Sequence, residues 1–323
     1  RAALAARAGV AAPVAAAEAD LVACIEAAQL LPFEQGMAFE AARRAERLGG
    51  AVPVLSLAAR RPMHRAGLIE IAPRAHAPEA ALAALAGRLG GERRRVIVTS
   101  TAEGGVTQAL LLALFRAALG MLAAGVAPRD IEAGARALGF GQGPLRMIDE
   151  AGPAQVLARA RQLYRARGVA LRPFRLLSDR LADVTGGDTA ALPRALAFHE
   201  PAGQALAEDA GLTAWLEEWR EDNAEAAQGW PALAPRAALE ASFVAEAARL
   251  LEAETARHAL DVELAAVEAC GFDAERGGPL LQAETGGLVT VMRALRRLSG
   301  LDPALWAPPP LLDEMVKNGR RFF

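Results

Sequence analysis

Few residues in this 323-residue chain have the types and spacing that chemistry demands. Structural zinc sites need clustered thiolates and imidazoles at short, regular spacings. The four histidines (His64, His76, His199, His258) and two cysteines (Cys24, Cys270) form no such group, so no metal site is expected. Two cysteines cannot build a disulfide framework, and buried free thiols in a reducing cytoplasm are the expectation. Ser56, Ser100, Ser178, Ser242 and Ser299 lack the flanking glycines of a nucleophile elbow, which leaves a serine hydrolase unsupported. The run Gly139-Phe140-Gly141-Gln142-Gly143 has the glycine density of a phosphate loop. It follows a helical segment and not a strand, and Pro144 takes the third-glycine position, so it reads as a turn between helices. No G-x-G-x-x-G lies between a strand and a helix anywhere in the chain. Trp215 and Trp219 stand four apart on one helical face and read as packing. Arg293, Arg296 and Arg297 read as a solvated face, with phosphate contact as the alternative.

The elements that would position such residues are mostly helices. The chain holds 79 alanines, and aromatic residues make up 5%. Alanine is the best helix former, whereas sandwiches and barrels favour β-branched and aromatic residues. Net charge is −2 and the pI near 6.2, which gives no bulk attraction to nucleic acid. The basic residues are 35 Arg and the single Lys317, as a GC-rich genome would produce. Val106 to Val126 is apolar enough to suggest a membrane span. Arg116 in its middle costs about +2.5 to +3.5 kcal/mol on insertion scales, and Gln108 adds to this. A core helix of a soluble bundle is the better reading. Glu18 and Asp20 interrupt the Ala-rich opening, so no signal peptide is expected there.

Along the chain, residues 14–31 and 33–48 read as helices. Short β runs follow at Val52–Leu57, Leu68–Ile71 and Val96–Thr99, with a helix over 78–89 before the last. This β-β-α-β piece is too short for a complete doubly wound nucleotide domain. Helices are predicted over 105–125, 128–138, 144–151 and 153–167, and the stretch 169–203 reads as irregular. Further helices are predicted over 203–208, 212–228, 236–257, 260–270, 278–285, 287–299 and 311–318.

One internal repeat stands out. Asp130-Ile131-Glu132, Gly139-Phe140 and Gly143-Pro144-Leu145 with Asp149 and Gly152 form the first copy. Asp261-Val262-Glu263, Gly271-Phe272 and Gly278-Pro279-Leu280 with Glu284 and Gly287 form the second, offset by 131–135 residues. Each follows a long Ala-rich helix. A Gly-Phe turn closes one helix and plugs the core, and Gly-Pro opens the next with Pro at its first position.

These motifs resemble the C-terminal part of the 3-hydroxyacyl-CoA dehydrogenases, in their multifunctional fatty-acid β-oxidation form. Leu31-Pro32-Phe33-Glu34-Gln35-Gly36-Met37-Ala38-Phe39-Glu40 is similar to the linker helix after that family's enoyl-CoA hydratase domain. GFGQGPLRMIDEAG (139–152), residues 271–287 and the closing PPPLLDEMVKNGRRFF resemble its two helical domains in order. The resemblance implies a mainly α fold: two tandem helical dehydrogenase C-terminal-type domains after a small α/β remnant of a Rossmann domain. It implies a helical linker at 1–50, the truncated remnant at 51–100, and helical domains at 101–230 and 231–323. It also implies NAD-dependent oxidation of 3-hydroxyacyl-CoA to 3-oxoacyl-CoA, an acyl-CoA substrate, and assembly as a homodimer or with other β-oxidation subunits.

The family's reaction uses a His general base held by a Glu. Imidazole suits that task because its pKa lies near the operating pH. Glu70, in Leu68-Ile69-Glu70-Ile71, matches the dyad Glu. The His-Phe-Phe-Asn-Pro motif is absent, and His64 is the available substitute. The family's substrate-contacting Asn falls on Gln108, one methylene longer, and the following Arg on Ala109. With the nucleotide fingerprint also missing, the expectation is a chain that keeps the substrate-side and dimerisation domains, is inactive alone and does not bind NAD alone. The alternative is a non-catalytic scaffold or interaction module.

Overall fold

The computed structural model describes residues 55–58, 67–73, 86–87, 95–100, 105–188, 197–198, 210–223 and 229–323. The helices expected over 14–31 and 33–48 lie outside these residues, as do Cys24, His64, His76 and His199. Three short strands form one sheet in the order β1 (Leu55–Ala58), β2 (Leu68–Pro73), β3 (Arg95–Val98). β1 and β2 are antiparallel, while β2 and β3 are parallel with Glu70 opposite Ile97.

Helices then dominate: α1 (Gly105–Ala123), α2 (Pro128–Leu138), α3 (Pro144–Ala151), α4 (Pro153–Ala166), α5 (Arg172–Thr185) and α6 (Ala210–Asp222). After a linker come α7 (Pro235–Glu252), α8 (Ala259–Glu268), α9 (Pro279–Gly286), α10 (Leu288–Leu298), the short α11 (Pro303–Trp306) and α12 (Pro310–Asn318). The sheet and both sets of helices belong to one compact unit. α5 corrects the expected irregular stretch. Pro173 sits in its first turn and Gly186 closes it in the left-handed region, so both residues punctuate a helix and do not prevent one.

α1 is the one described helix long and apolar enough to cross a membrane, and it is mostly buried against the other helices. Its Arg116 is 2% exposed and grips Asp302 through two hydrogen bonds, at 2.5 and 2.8 Å. The guanidinium also lies 4.7 Å from the centre of the Tyr164 ring. A buried ion costs free energy unless paired and hydrogen-bonded, and this pair ties the first set of helices to the second.

Residues of the two motif series make corresponding hydrogen bonds. Glu132 accepts the Leu145 amide at the start of α3, and Glu263 accepts those of Leu280 and Leu281 at the start of α9. Asp149 accepts the amides of Ala197 and Phe198, while Glu284 accepts that of Phe322. The two Gly-Phe turns meet: Phe140 pairs with Phe272 in an antiparallel bridge, and their rings stand edge-to-face at 5.1 Å.

Candidate functional site

α1 starts at Gly105, and its first amides have no partner within the helix. Glu70 on β2 supplies one. Its carboxylate accepts the Val106 amide at 2.8 Å and the Thr107 amide at 2.9 Å. The approach is so close that a Cβ at position 105 would overlap Glu70 Oε2, and Gly105 has φ +54. Gly105 therefore has two reasons to be glycine: the backbone conformation and the space.

Glu70 is 5% exposed. Burial raises its pKa above the usual carboxylate value, while Thr107 and Val106 pull it down. The helix dipole also favours a negative charge at this end. The Thr107 hydroxyl is buried against this carboxylate, and its side chain helps to lower the Glu70 pKa. Gln108, half-buried in the same first turn, makes no side-chain hydrogen bond among the described residues. The junction thus brings together a buried carboxyl group on one strand and a hydroxyl and a carboxamide at two consecutive helical positions.

The structure brings Glu70 and Gln108 to one end of α1, and His64 lies outside the described residues. Ala109, at the position where the resembled motif has Arg, is 1% exposed, so an arginine there would have to displace core. Thr107 escaped sequence reasoning, although a threonine in the first turn after a strand is a recurrent site for polar contacts. Asp149, Glu132 and Glu263 were visible as repeat members, but not as acceptors of backbone amides.

Other expected features fall into structural roles. Gly139–Gly143 closes α2 and meets the second copy: Gly141 donates to the Gly271 carbonyl and Asp273 donates to that of Gly139. The run is a turn, as its position after a helix predicts. Trp215 and Trp219 stack at 6.5 Å, and Trp219 Nε1 donates to Asp179. Arg293, Arg296 and Arg297 are exposed, with Arg296 paired to Asp313 at 3.1 Å. Cys270 is buried and in no disulfide. Among the described residues no group of three or more His, Cys, Asp or Glu could hold a metal ion. A cavity of about 340 Å³ is present, but it lies at the far end of α7 between Leu251 and the C-terminal residues, away from Glu70.

Three comparisons bear on this arrangement. Residues 104–191 match the family model for the 3-hydroxyacyl-CoA dehydrogenase C-terminal domain. Over 78 residues, or 24% of the chain, the sequence is 33% identical to a fatty acid oxidation complex subunit alpha from Idiomarina loihiensis. That match spans 11% of the relative's length. A crystal structure of 3-hydroxybutyryl-CoA dehydrogenase from Escherichia coli K12 superposes with a TM-score of 0.62 at 14% identity, covering 82% of this chain and 70% of that one. This last likeness is one of fold.

Proposed function

We propose, for a chain that belongs to the 3-hydroxyacyl-CoA dehydrogenase family through its C-terminal domain at residues 104–191, that it is the substrate-side and assembly half of such a protein. It binds an acyl-CoA thioester where β2 meets the start of α1, and it does not run the NAD-dependent oxidation alone. The observation that carries this reading is the Glu70 carboxylate held by the Val106 and Thr107 amides and the Thr107 side chain, with the half-buried Gln108 carboxamide beside it.

Each group has a task it can perform. Glu70 anchors α1 and fixes where its first turn sits. Gln108 can donate from its carboxamide to a thioester carbonyl, and the Thr107 hydroxyl, its proton turned to Glu70, can accept from a 3-hydroxyl. Any misplacement here is expensive, since about 1 Å can cost about a hundredfold in rate. The longer Gln108 is therefore better suited to holding substrate than to timing a hydride transfer.

The described residues do not fit NAD. A dinucleotide needs a glycine-rich turn from strand to helix N-terminus, and the one dense glycine run instead pairs with Gly271 and Phe272 of the second copy. No step through that cofactor is assigned to this chain. The proposed setting is the cytoplasm, as a homodimer or beside other β-oxidation subunits.

The test is NADH oxidation with acetoacetyl-CoA on protein shown to be folded by circular dichroism. The reading expects no loss of absorbance at saturating NADH. Saturable turnover would overturn it and turn attention to His64 as the base beside Glu70.

A further inference from the structure

Two exposed surfaces of opposite charge flank α5. On one side Phe174 of α5 meets Tyr164 of α4, with ring centres 5.8 Å apart. On the other, Asp179 accepts from Trp219 Nε1 at 2.9 Å, and Arg180 lies 5.1 Å from the centre of the Trp215 ring, both rings belonging to α6. α4 and the first turn of α5 are basic. Residues 151–178 hold six arginines and no acidic residue, in a chain whose net charge is −2. Arg167 is paired with Glu246 and Arg175 with Asp179. Arg159, Arg161, Arg165 and Arg172 are exposed, and their side chains make no ion pair or hydrogen bond among the described residues. The outer face of α6 is acidic. Glu217, Glu218, Glu221 and Asp222 are exposed and equally unpaired, while Leu212, Leu216 and Trp219 turn inward and Arg220 is half-buried.

Helix stability does not account for these charges. Arg161 and Arg165 stand four apart, as do Glu217 and Glu221, and Glu218 and Asp222, and like charges at that spacing destabilise a helix. Arg172 sits at the positive end of α5, and Glu221 and Asp222 at the negative end of α6, each against the helix dipole. Four free cations and four free carboxylates are complementary, but α5 keeps them apart within one chain. A two-fold axis beside α5 would set α4 of each copy against α6 of the other. An anionic lipid surface would satisfy the arginines alone and a basic partner the carboxylates alone, whereas a second copy satisfies both. We propose that the chain self-associates through this side, the basic face of α4 in one copy meeting the acidic face of α6 in its partner, and reciprocally. The groups are exposed, so charge and not apolar burial steers and holds the contact. The inference gives the homodimer a face, and it does not depend on whether acyl-CoA binds.

The test is sedimentation velocity of the full chain. At low salt, monomer and dimer should exchange, and the dimer should dissolve as salt shortens the Debye length from about 30 Å at 0.01 M to about 3 Å at 1 M. The triple variant Arg159→Glu, Arg161→Glu, Arg165→Glu should weaken self-association by about a hundredfold or more, because like charges then face each other at both contacts. Glu217→Arg, Glu218→Arg, Glu221→Arg should do the same from the other face. These side chains are exposed, so thermal melts should stay close to the parent's. An equimolar mixture of the two variants should form a dimer again, since one carries two acidic faces and the other two basic ones. A parent that stays monomeric at low salt would overturn the proposal. So would a dimer indifferent to salt and to both variants, a mixture that fails to pair, or species that grow past the dimer with concentration, the mark of head-to-tail contacts. A monomeric parent that co-sediments with phosphatidylglycerol vesicles, and an arginine variant that does not, would overturn it by giving the basic face to a lipid surface.

Discussion

In the first copy of the repeat, Glu132 braces α3 through the Leu145 amide. In the second, Glu263 braces α9 through Leu280 and Leu281. Asp149 and Glu284 clasp the returning chain at Phe198 and Phe322 in the same way. The starts of the long helices differ. α1 begins under Glu70, which takes the Val106 and Thr107 amides, with the Gln108 side chain half-buried beside it. α7 begins packed against α2, where a Cβ at Gly134 would sit 2.8 Å from the Arg236 nitrogen. Buried acceptors for backbone amides are thus a requirement of the fold and recur in both copies. A buried strand carboxylate caps the long helix only at α1 among the described residues, which is why the proposed ligand site lies in one copy.

The comparison can be broken most forcefully at the pair that joins the copies. Asp302→Ala leaves Arg116 buried and uncompensated, and should cost about 3–5 kcal/mol. Denaturant unfolding should stay a single transition if the copies fold as one unit. Two separated transitions would mean the copies are independent.

The bracing glycines come next. Gly278 has φ +132 and a Cβ there would overlap Glu263 Oε2, so Gly278→Ala carries backbone strain and displaces the brace. Strain of that kind costs about 1–3 kcal/mol. Gly143→Ala also crowds its brace, Glu132, but from an ordinary φ of −83, and should cost less. Equal losses in chemical denaturation would remove the distinction. Glu70→Ala orphans two amides and should cost about 1–3 kcal/mol, whereas Glu70→Gln keeps an acceptor and should cost less than Glu70→Ala.

The smallest effect is a pH slope. Burial pushes Glu263 from its ordinary 4.5 up to about 7, against the pull of the Leu281 and Leu280 amides. A raised carboxyl pKa means the neutral form is favoured in the folded state. Its contribution is therefore fully present below about pH 4.5 and is lost as pH rises through about 7. Melting temperatures of Glu263→Gln across this window should fall less steeply than those of the parent. Parallel slopes would show that Glu263 does not titrate there.

Much of this was legible in sequence. Alanine content and Pro-Gly punctuation marked most helices, and the D-[IV]-E and Gly-Pro-Leu series marked residues that make corresponding hydrogen bonds. α5 has no plain sequence signature because Pro173 and Gly186-Gly187 look like loop residues, and only their position relative to the helix ends decides their meaning. Arg116 was legible as the obstacle to a membrane span, but its partner Asp302 lies 186 residues away, beyond any local pattern. The same holds for Glu70. A resemblance assigned it a role, yet only the fold shows its oxygens on the amides of Val106 and Thr107. Thr107 and the brace carboxylates were missed because hydrogen bonds to backbone leave no spacing signature.

The most direct test of a site on one copy is calorimetric titration of the folded chain with acetoacetyl-CoA. One equivalent should bind, and Gln108→Ala should weaken it by up to about tenfold, the worth of one hydrogen bond. Two equivalents per chain, or affinity indifferent to Gln108, would contradict the assignment of the site to the junction of β2 and α1.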